Sequence, residues 1–178
     1  MSKITGKVIW ITGLSGAGKT SLAKLLTFRL RQAGESVIML DGDSIRELIA
    51  NDETAHFSRA ARLKNALLYA KLCKLISSQG HTVVMATISM FQEIYDWNRK
   101  NQGRYFEVYL KTTLPELRRR DKNHIYSHFE AGKIKNVAGL DIEIDEPTKA
   151  DWTMISDDTS SKALSRLLMD KLKEKNFI

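Results

Sequence analysis

Gly13-Leu14-Ser15-Gly16-Ala17-Gly18-Lys19-Thr20 matches the pattern G-x-x-x-x-G-K-[ST]. It follows an apolar run, Val8 to Thr12, and opens an amphipathic stretch, Lys19 to Ala33, that stops at Gly34. Strand, glycine-rich turn and helix, in that order, are what phosphate binding requires. The glycines let backbone N–H groups turn toward anionic oxygens, and the helix N-terminus adds the positive end of its dipole. Lys19 is placed to reach β- and γ-phosphates, and the Thr20 hydroxyl to ligate Mg²⁺. Gly13, Ser15, Gly16, Ala17, Gly18, Lys19, Thr20 and the adjoining Ser21 are therefore the candidate contacts of a nucleoside triphosphate, with Thr20 the candidate metal ligand.

Such a loop does not say where the γ-phosphoryl goes, because ATPases, GTPases and kinases share it. The chain has no N-K-x-D sequence for guanine, and the buried run Thr82 to Ile88 carries no carboxylate of the Walker B kind. Both features weigh against a GTPase or a motor ATPase.

Outward from the loop, strands and helices alternate. Ser36 to Leu40, Thr82 to Ile88, Tyr105 to Leu110 and Trp152 to Ile155 read as further strands. Helices are expected at Ser44 to Ala50 with Ser44 as cap, Ser58 to Gln79 before Gly80, Met90 to Lys100, from Leu114 with Pro115 in its first turn, and Ser160 to Lys175. The continuous apolar strands Val8-Ile9-Trp10-Ile11 and Val83-Val84-Met85 suit a parallel sheet covered on both faces by right-handed crossovers. The expected fold is an α/β domain of the P-loop NTPase type, with three α/β/α layers and a central parallel sheet. Residues 1–178 are expected to form one domain, and the polar, irregular segment Asp121 to Pro147 is long enough to serve as a lid.

The second strand ends in Leu40-Asp41-Gly42-Asp43, at the sheet edge where doubly wound folds bind ligands. A carboxylate there can accept a proton from an acceptor hydroxyl or orient Mg²⁺. The plain structural alternative is a polar turn in which Asp43 or Ser44 caps the next helix.

In order and spacing these segments resemble the adenylylsulfate kinase family. The resemblance rests on G-L-S-G-A-G-K-T, on D-G-D with Arg46 following, and on Phe57-Ser58 with Arg62 and Asn65. It continues through Ile88-Ser89, Arg120-Asp121 and Gly132-Lys133-Ile134-Lys135-Asn136 leading to Gly139. The resemblance implies transfer of the γ-phosphoryl of Mg-ATP to a ribose 3′-hydroxyl of a nucleotide, with adenylyl sulfate as the default acceptor. Asp43 would be the base, with Lys19, Asp41 and Ser89 as further catalytic candidates and Arg120 on the ATP side. Arg46, Arg62, Asn65, Ile88, Ser89, Lys135 and Asn136 would hold the acceptor, and Phe57 would stack on its base. The family also implies a homodimer.

The chain departs from that pattern around the acceptor. Typical members read I-K-N-F-T-G, with the aromatic helping to sandwich adenine, where this chain has Ile134-Lys135-Asn136-Val137-Ala138-Gly139. Their I-S-P is Ile88-Ser89-Met90 here, and Lys64 replaces an acidic residue. In these respects it is similar to the family's divergent branch, including cytidine diphosphoramidate kinases of bacterial surface-polysaccharide pathways.

Composition narrows the other classes. The 178 residues carry 28 Lys plus Arg against 21 Asp plus Glu, a net charge of +7, which suits any polyanion. A cluster at Lys111, Arg118, Arg119, Arg120, Lys122, Lys133 and Lys135 could form an electropositive lid, whereas aromatic-studded basic stripes for nucleic acid are missing. Other readings are a nucleoside monophosphate kinase, which fits Arg118-Arg119-Arg120, and a non-catalytic nucleotide- or RNA-binding domain, which fits a pI of 9.5. The lone Cys73 shares a helical face with Ala66 and Ala70 and is expected in the core, while His124 and His128 lack a third metal ligand. No apolar run is long enough to span a membrane, and Met1 to Lys7 lacks the zones of a signal peptide, so a cytoplasmic location is expected.

Overall fold

The computed structural model describes residues 6–49 and 58–178. Phe57, expected to stack on a base, lies outside the described residues. Among the described residues, five parallel strands form one sheet in the order β2-β3-β1-β4-β5, in which β1 is Lys7–Thr12, β2 Val37–Asp41, β3 Thr82–Ala86, β4 Arg104–Lys111 and β5 Trp152–Ile155. The chain leaves β1 for the far edge at β2, returns through β3, and then crosses β1 to reach β4. That reversal opens a crevice beyond the C-terminal ends of β1, β2 and β3, where open α/β sheets take their ligands.

The strands alternate their side chains between two apolar layers, which is why their sequences are apolar throughout. Ile9, Ile11, Val84 and Val108 pack into one layer with Leu22, Leu26 and Leu30 of α1 (Lys19–Gln32) and with Leu164, Leu168 and Leu172, carried by a helix at Ser161–Glu174. Val8, Trp10, Val83 and Met85 face the other way, onto Tyr69 and Cys73 of a long helix, Arg59–Ser77, and onto Ile94. Cys73 is fully buried, and burial pushes its thiol well above the ordinary range.

The remaining helices are α2 (Gly42–Ile49), α3 (Arg59–Ser77), α4 (Gln92–Asn101), α5 (Leu114–Arg120), α6 (Ile125–Glu130) and α7 (Ser161–Glu174). Ser58 and Ser160 cap α3 and α7 by accepting from Ala61 N and Ala163 N.

Three expectations change. Helix α2 begins at Gly42 rather than at Ser44, and its first turn is capped by Asp41, whose Oδ1 accepts from Asp43 N at 2.9 Å. Strand β3 stops at Ala86, because the chain turns out of the sheet toward Ser89, which has φ 32°. The segment 121–147 is not irregular throughout: a 3₁₀ turn, Lys122–His124, and α6 occupy its first part. Local pairing explains that order, since Asp121 Oδ1 accepts from Tyr126 N at 2.9 Å and Ser127 N at 3.2 Å and so starts the helix.

Candidate active site

The phosphate loop is held from outside by its carbonyls. Tyr126 Oη donates to Ser15 O at 2.7 Å, Arg120 Nη1 to Gly16 O at 3.3 Å and Ala17 O at 3.4 Å, and Ser156 Oγ to Ala17 O at 3.1 Å. Each trans peptide sets its N–H opposite its carbonyl, so the Gly16 and Gly18 N–H groups turn to the inner side of the loop. Gly13 allows the loop to approach β4, since a Cβ there would stand 2.4 Å from Leu110 O. The inner side opens on a cavity of about 680 Å³, lined by Ser15, Gly16, Gly18, Lys19, Thr20 and Ser21 on the loop side.

Lys19 Nζ donates to Leu14 O at 2.8 Å. Burial lowers its pKa to about 8, against the opposing pull of the Asp43 carboxylate and with a further push from the Lys122 ammonium. A cation so placed gains from an incoming polyanion. Thr20 Oγ1 donates to Asp41 Oδ2 at 2.6 Å, so the loop hydroxyl and a β2 carboxylate form one oxygen-donor pair.

The other half of the cavity, where the acceptor is expected, is formed by Asp41, Asp43, Arg46 and Arg62 with Thr87, Ile88, Lys135, Asn136, Val137 and Ala138. A narrower recess of about 40 Å³ continues from it past Asn65, Ser89, Glu143 and Tyr69. The D-G-D spacing has a steric cause: a Cβ on Gly42 would meet Thr87 Oγ1 at 2.8 Å, and Tyr69 Oη donates to Gly42 O at 3.0 Å. Only glycine lets α2 start against β3's end, with a carboxylate on either side. Asp43 Oδ1 accepts from Arg46 Nη2 at 2.8 Å.

Arg62 Nη2 donates to Asn136 O at 2.7 Å, linking α3 to the segment expected to be a lid. Burial first, then the neighbouring Arg46, lowers the Arg62 pKa, which marks a site lined with cations. Asp141 accepts from Asn136 N at 2.8 Å and Val137 N at 2.6 Å; these bonds hold its carboxyl below the usual value against the upward push of burial. Ser89 Oγ shares a hydrogen bond with Thr87 Oγ1 at 2.7 Å, hydroxyl to hydroxyl.

The structure thus brings together Lys19, Thr20, Asp41, Asp43, Arg46, Arg62, Ile88, Lys135 and Asn136 around one cavity, with Asn65 and Ser89 in its extension. Gly13 and Ala17 support the loop, and Ala17 is buried. Arg120, expected on the ATP side, stands behind the loop: besides Gly16 and Ala17 it donates to Glu116 Oε1 at 2.7 Å, to Ser156 O and to Asp157 O. Sequence reasoning missed Tyr126, Ser156, Thr87 and Asp141. Polar residues of that kind carry no motif, and their partners lie far away along the chain.

The adenylylsulphate kinase family model matches residues 5–155. A cytidine diphosphoramidate kinase of Campylobacter jejuni is 41% identical over 140 residues, covering 79% of this chain and 81% of the relative. A probable adenylyl-sulfate kinase of Pyrococcus abyssi is 32% identical over 173 residues, covering 97% of this chain and 98% of the relative. Among solved structures, the APS kinase CysC of Mycobacterium tuberculosis in complex with AMPPNP and APS superimposes with a TM-score of 0.86 at 32% identity, over 95% of this chain and 98% of that one.

Proposed function

The chain belongs to the adenylylsulphate kinase family, and we propose that it phosphorylates a ribose hydroxyl of a cytidine nucleotide of the diphosphoramidate type. It is a kinase, a phosphotransferase with a hydroxyl acceptor. The choice of base is carried by Val137, which lines the cavity where typical members have an aromatic platform. Stacking on such a platform is worth about 1–3 kcal/mol per base, so its loss weakens adenine more than a smaller pyrimidine that never filled the space. The 41% identity to a cytidine diphosphoramidate kinase supports the same reading. Adenylyl sulfate is the second reading, supported by the likeness to CysC.

In the proposed reaction ATP lies with its phosphates on the Gly16 and Gly18 N–H groups and Lys19. Thr20 and Asp41, hard oxygen donors 2.6 Å apart, fit Mg²⁺, which characteristically takes one or two carboxylates together with substrate phosphates. When bound, the ion would neutralise charge on the phosphate oxygens. Arg46, Arg62 and Lys135 hold the acceptor's anionic group, for which a guanidinium fork is the best-suited protein cation. Asp43 accepts the acceptor hydroxyl's proton as that oxygen forms its bond to the γ-phosphorus, the bond to the β–γ bridging oxygen breaks, and ADP leaves with the electron pair. The segment 121–147 closes over the site and excludes water, and the chain works as a homodimer in the cytoplasm.

A coupled ADP-release assay with Mg-ATP, comparing cytidine diphosphoramidate, adenylyl sulfate and plain nucleotides, tests this with mass spectrometry of the products. A phosphorylated cytidine product formed at least about tenfold more efficiently than 3′-phosphoadenylyl sulfate, a difference of about 1.4 kcal/mol, is expected. The reverse ranking establishes the second reading, and ADP release without a phosphorylated acceptor sinks both.

A further inference from the structure

The cations that the sequence clusters around the lid are sorted by the fold. Lys111 pairs with Glu146 at 3.0 Å, Arg118 with Glu130 at 2.8 Å and Arg119 with Glu116 at 2.6 Å. Arg120 is committed to Glu116 and to backbone carbonyls behind the phosphate loop. Lys122 and Lys135 line the cavity, and they do so at different ends. Lys135 adjoins Asn136 and Arg62 on the acceptor side. Lys122 sits against the phosphate loop: a Cβ on Gly16 would be 3.7 Å from Lys122 Cβ and 3.9 Å from Tyr126 Cε2.

The backbone delivers Lys122 there at a cost. Asp121, Asn123 and His124 have φ of 35°, 55° and 56°, the left-handed region that non-glycine residues rarely enter. The neighbouring structure enforces that path: Asp121 N donates to Leu117 O at 2.9 Å, the Asp121 carboxylate caps α6, and the first turn of α6 is tied to Ser15 O through Tyr126 Oη at 2.7 Å. Strain overdetermined by its surroundings and placed beside a polyphosphate site is a sign of function. Lys19 and Lys122 both line the cavity, so two cations converge on one region that an anion would satisfy.

We propose that Lys122 is a catalytic residue, whose ammonium contacts the γ-phosphoryl group from the lid side and neutralises the charge that spreads over its oxygens during transfer. This deepens the phosphoryl-transfer reading but does not depend on which nucleotide accepts.

The test uses the whole protein carrying Lys122→Met or Lys122→Arg. Calorimetric titration with Mg-ATP and Mg-ADP, in the absence of acceptor, reads the contact; steady-state kinetics with the accepted nucleotide reads kcat. For Lys122→Met the ATP-over-ADP preference should fall at least about tenfold and kcat by about 10²-fold, with ADP affinity and Tm kept and Lys122→Arg restoring most of both. An unchanged ATP-over-ADP preference, an unchanged kcat, or a parallel loss of ADP affinity and Tm each overturns the proposal. Because the titrations need no acceptor, they still decide the role of Lys122 if the acceptor nucleotide is wrongly chosen.

Discussion

The Thr20 hydroxyl donates to the Asp41 carboxylate at 2.6 Å, joining the first turn of α1 to the last residue of β2 across 21 positions of sequence. Asp41 serves twice, because its other oxygen caps α2 through Asp43 N. One carboxylate therefore positions both the hydroxyl proposed to ligate Mg²⁺ and the proposed base.

If Thr20 and Asp41 hold one ion, Thr20→Ala and Asp41→Asn should each raise the Mg²⁺ concentration for half-maximal activity by about 10–100-fold. The double variant should lose little more than either single one, since groups acting as a unit are not additive. Independent, multiplying losses in Mg²⁺ titrations would separate the two residues.

Asp43→Asn removes the proton acceptor and keeps the shape and the bond from Arg46. A fall in kcat of about 10²–10⁴-fold is expected, with the dissociation constant of ATP within a few-fold of the parent. Full turnover in this variant would falsify the assignment of Asp43 as base.

Lys19 gives a pH-dependent prediction with a definite sign. Its folded-state pKa, about 8, lies below the ordinary 10.5, so the ligand-free fold bears the cost of a buried ammonium below pH 8 and is relieved of it as pH rises toward 10.5. Lys19→Met should therefore raise the Tm of the ligand-free protein near pH 7, by an amount on the order of 2–3 kcal/mol in stability, and have little effect near pH 10.5. Thermal melts at the two pH values check this, and a stabilisation that grows with pH contradicts it.

Asp141 anchors the Asn136 and Val137 N–H groups, while Arg62 holds the Asn136 carbonyl. Removing the carboxylate frees the peptide that carries Lys135 into the cavity. Asp141→Ala should raise KM for the acceptor by about 10-fold or more while KM for ATP stays within about 2-fold, and Asp141→Asn should recover part of the loss by accepting one of the two bonds. Equal rises in both constants would point to general loosening of the segment.

The legible parts of the fold were those written in local order. The apolar strand β1, the start of β3, the glycine stop after α1, and the helix starts at Ser58 and Ser160 depend on neighbours within a few residues, and each appears where periodicity and turn chemistry place it. The differences occur where a distant group decides. Helix α2 starts early because Asp41 caps it and Thr87 crowds Gly42, and α6 forms inside an apparently irregular stretch because Asp121 closes its first turn.

The candidate site divides in the same way. By itself the sequence marked Gly13 to Thr20 as the phosphate-binding pattern and placed Asp41 and Asp43 at the sheet edge, because a phosphate loop is a contiguous peptide whose chemistry depends on spacing along the chain. Tertiary structure alone decided that Arg120 braces the loop from behind, that Arg62 ties α3 to Asn136, and that Lys122 and Lys135, of the clustered cations, line the cavity. A side chain's charge is written in the sequence, but whether it meets a carboxylate, a carbonyl or a cavity depends on groups brought beside it by the packing of helices on the sheet.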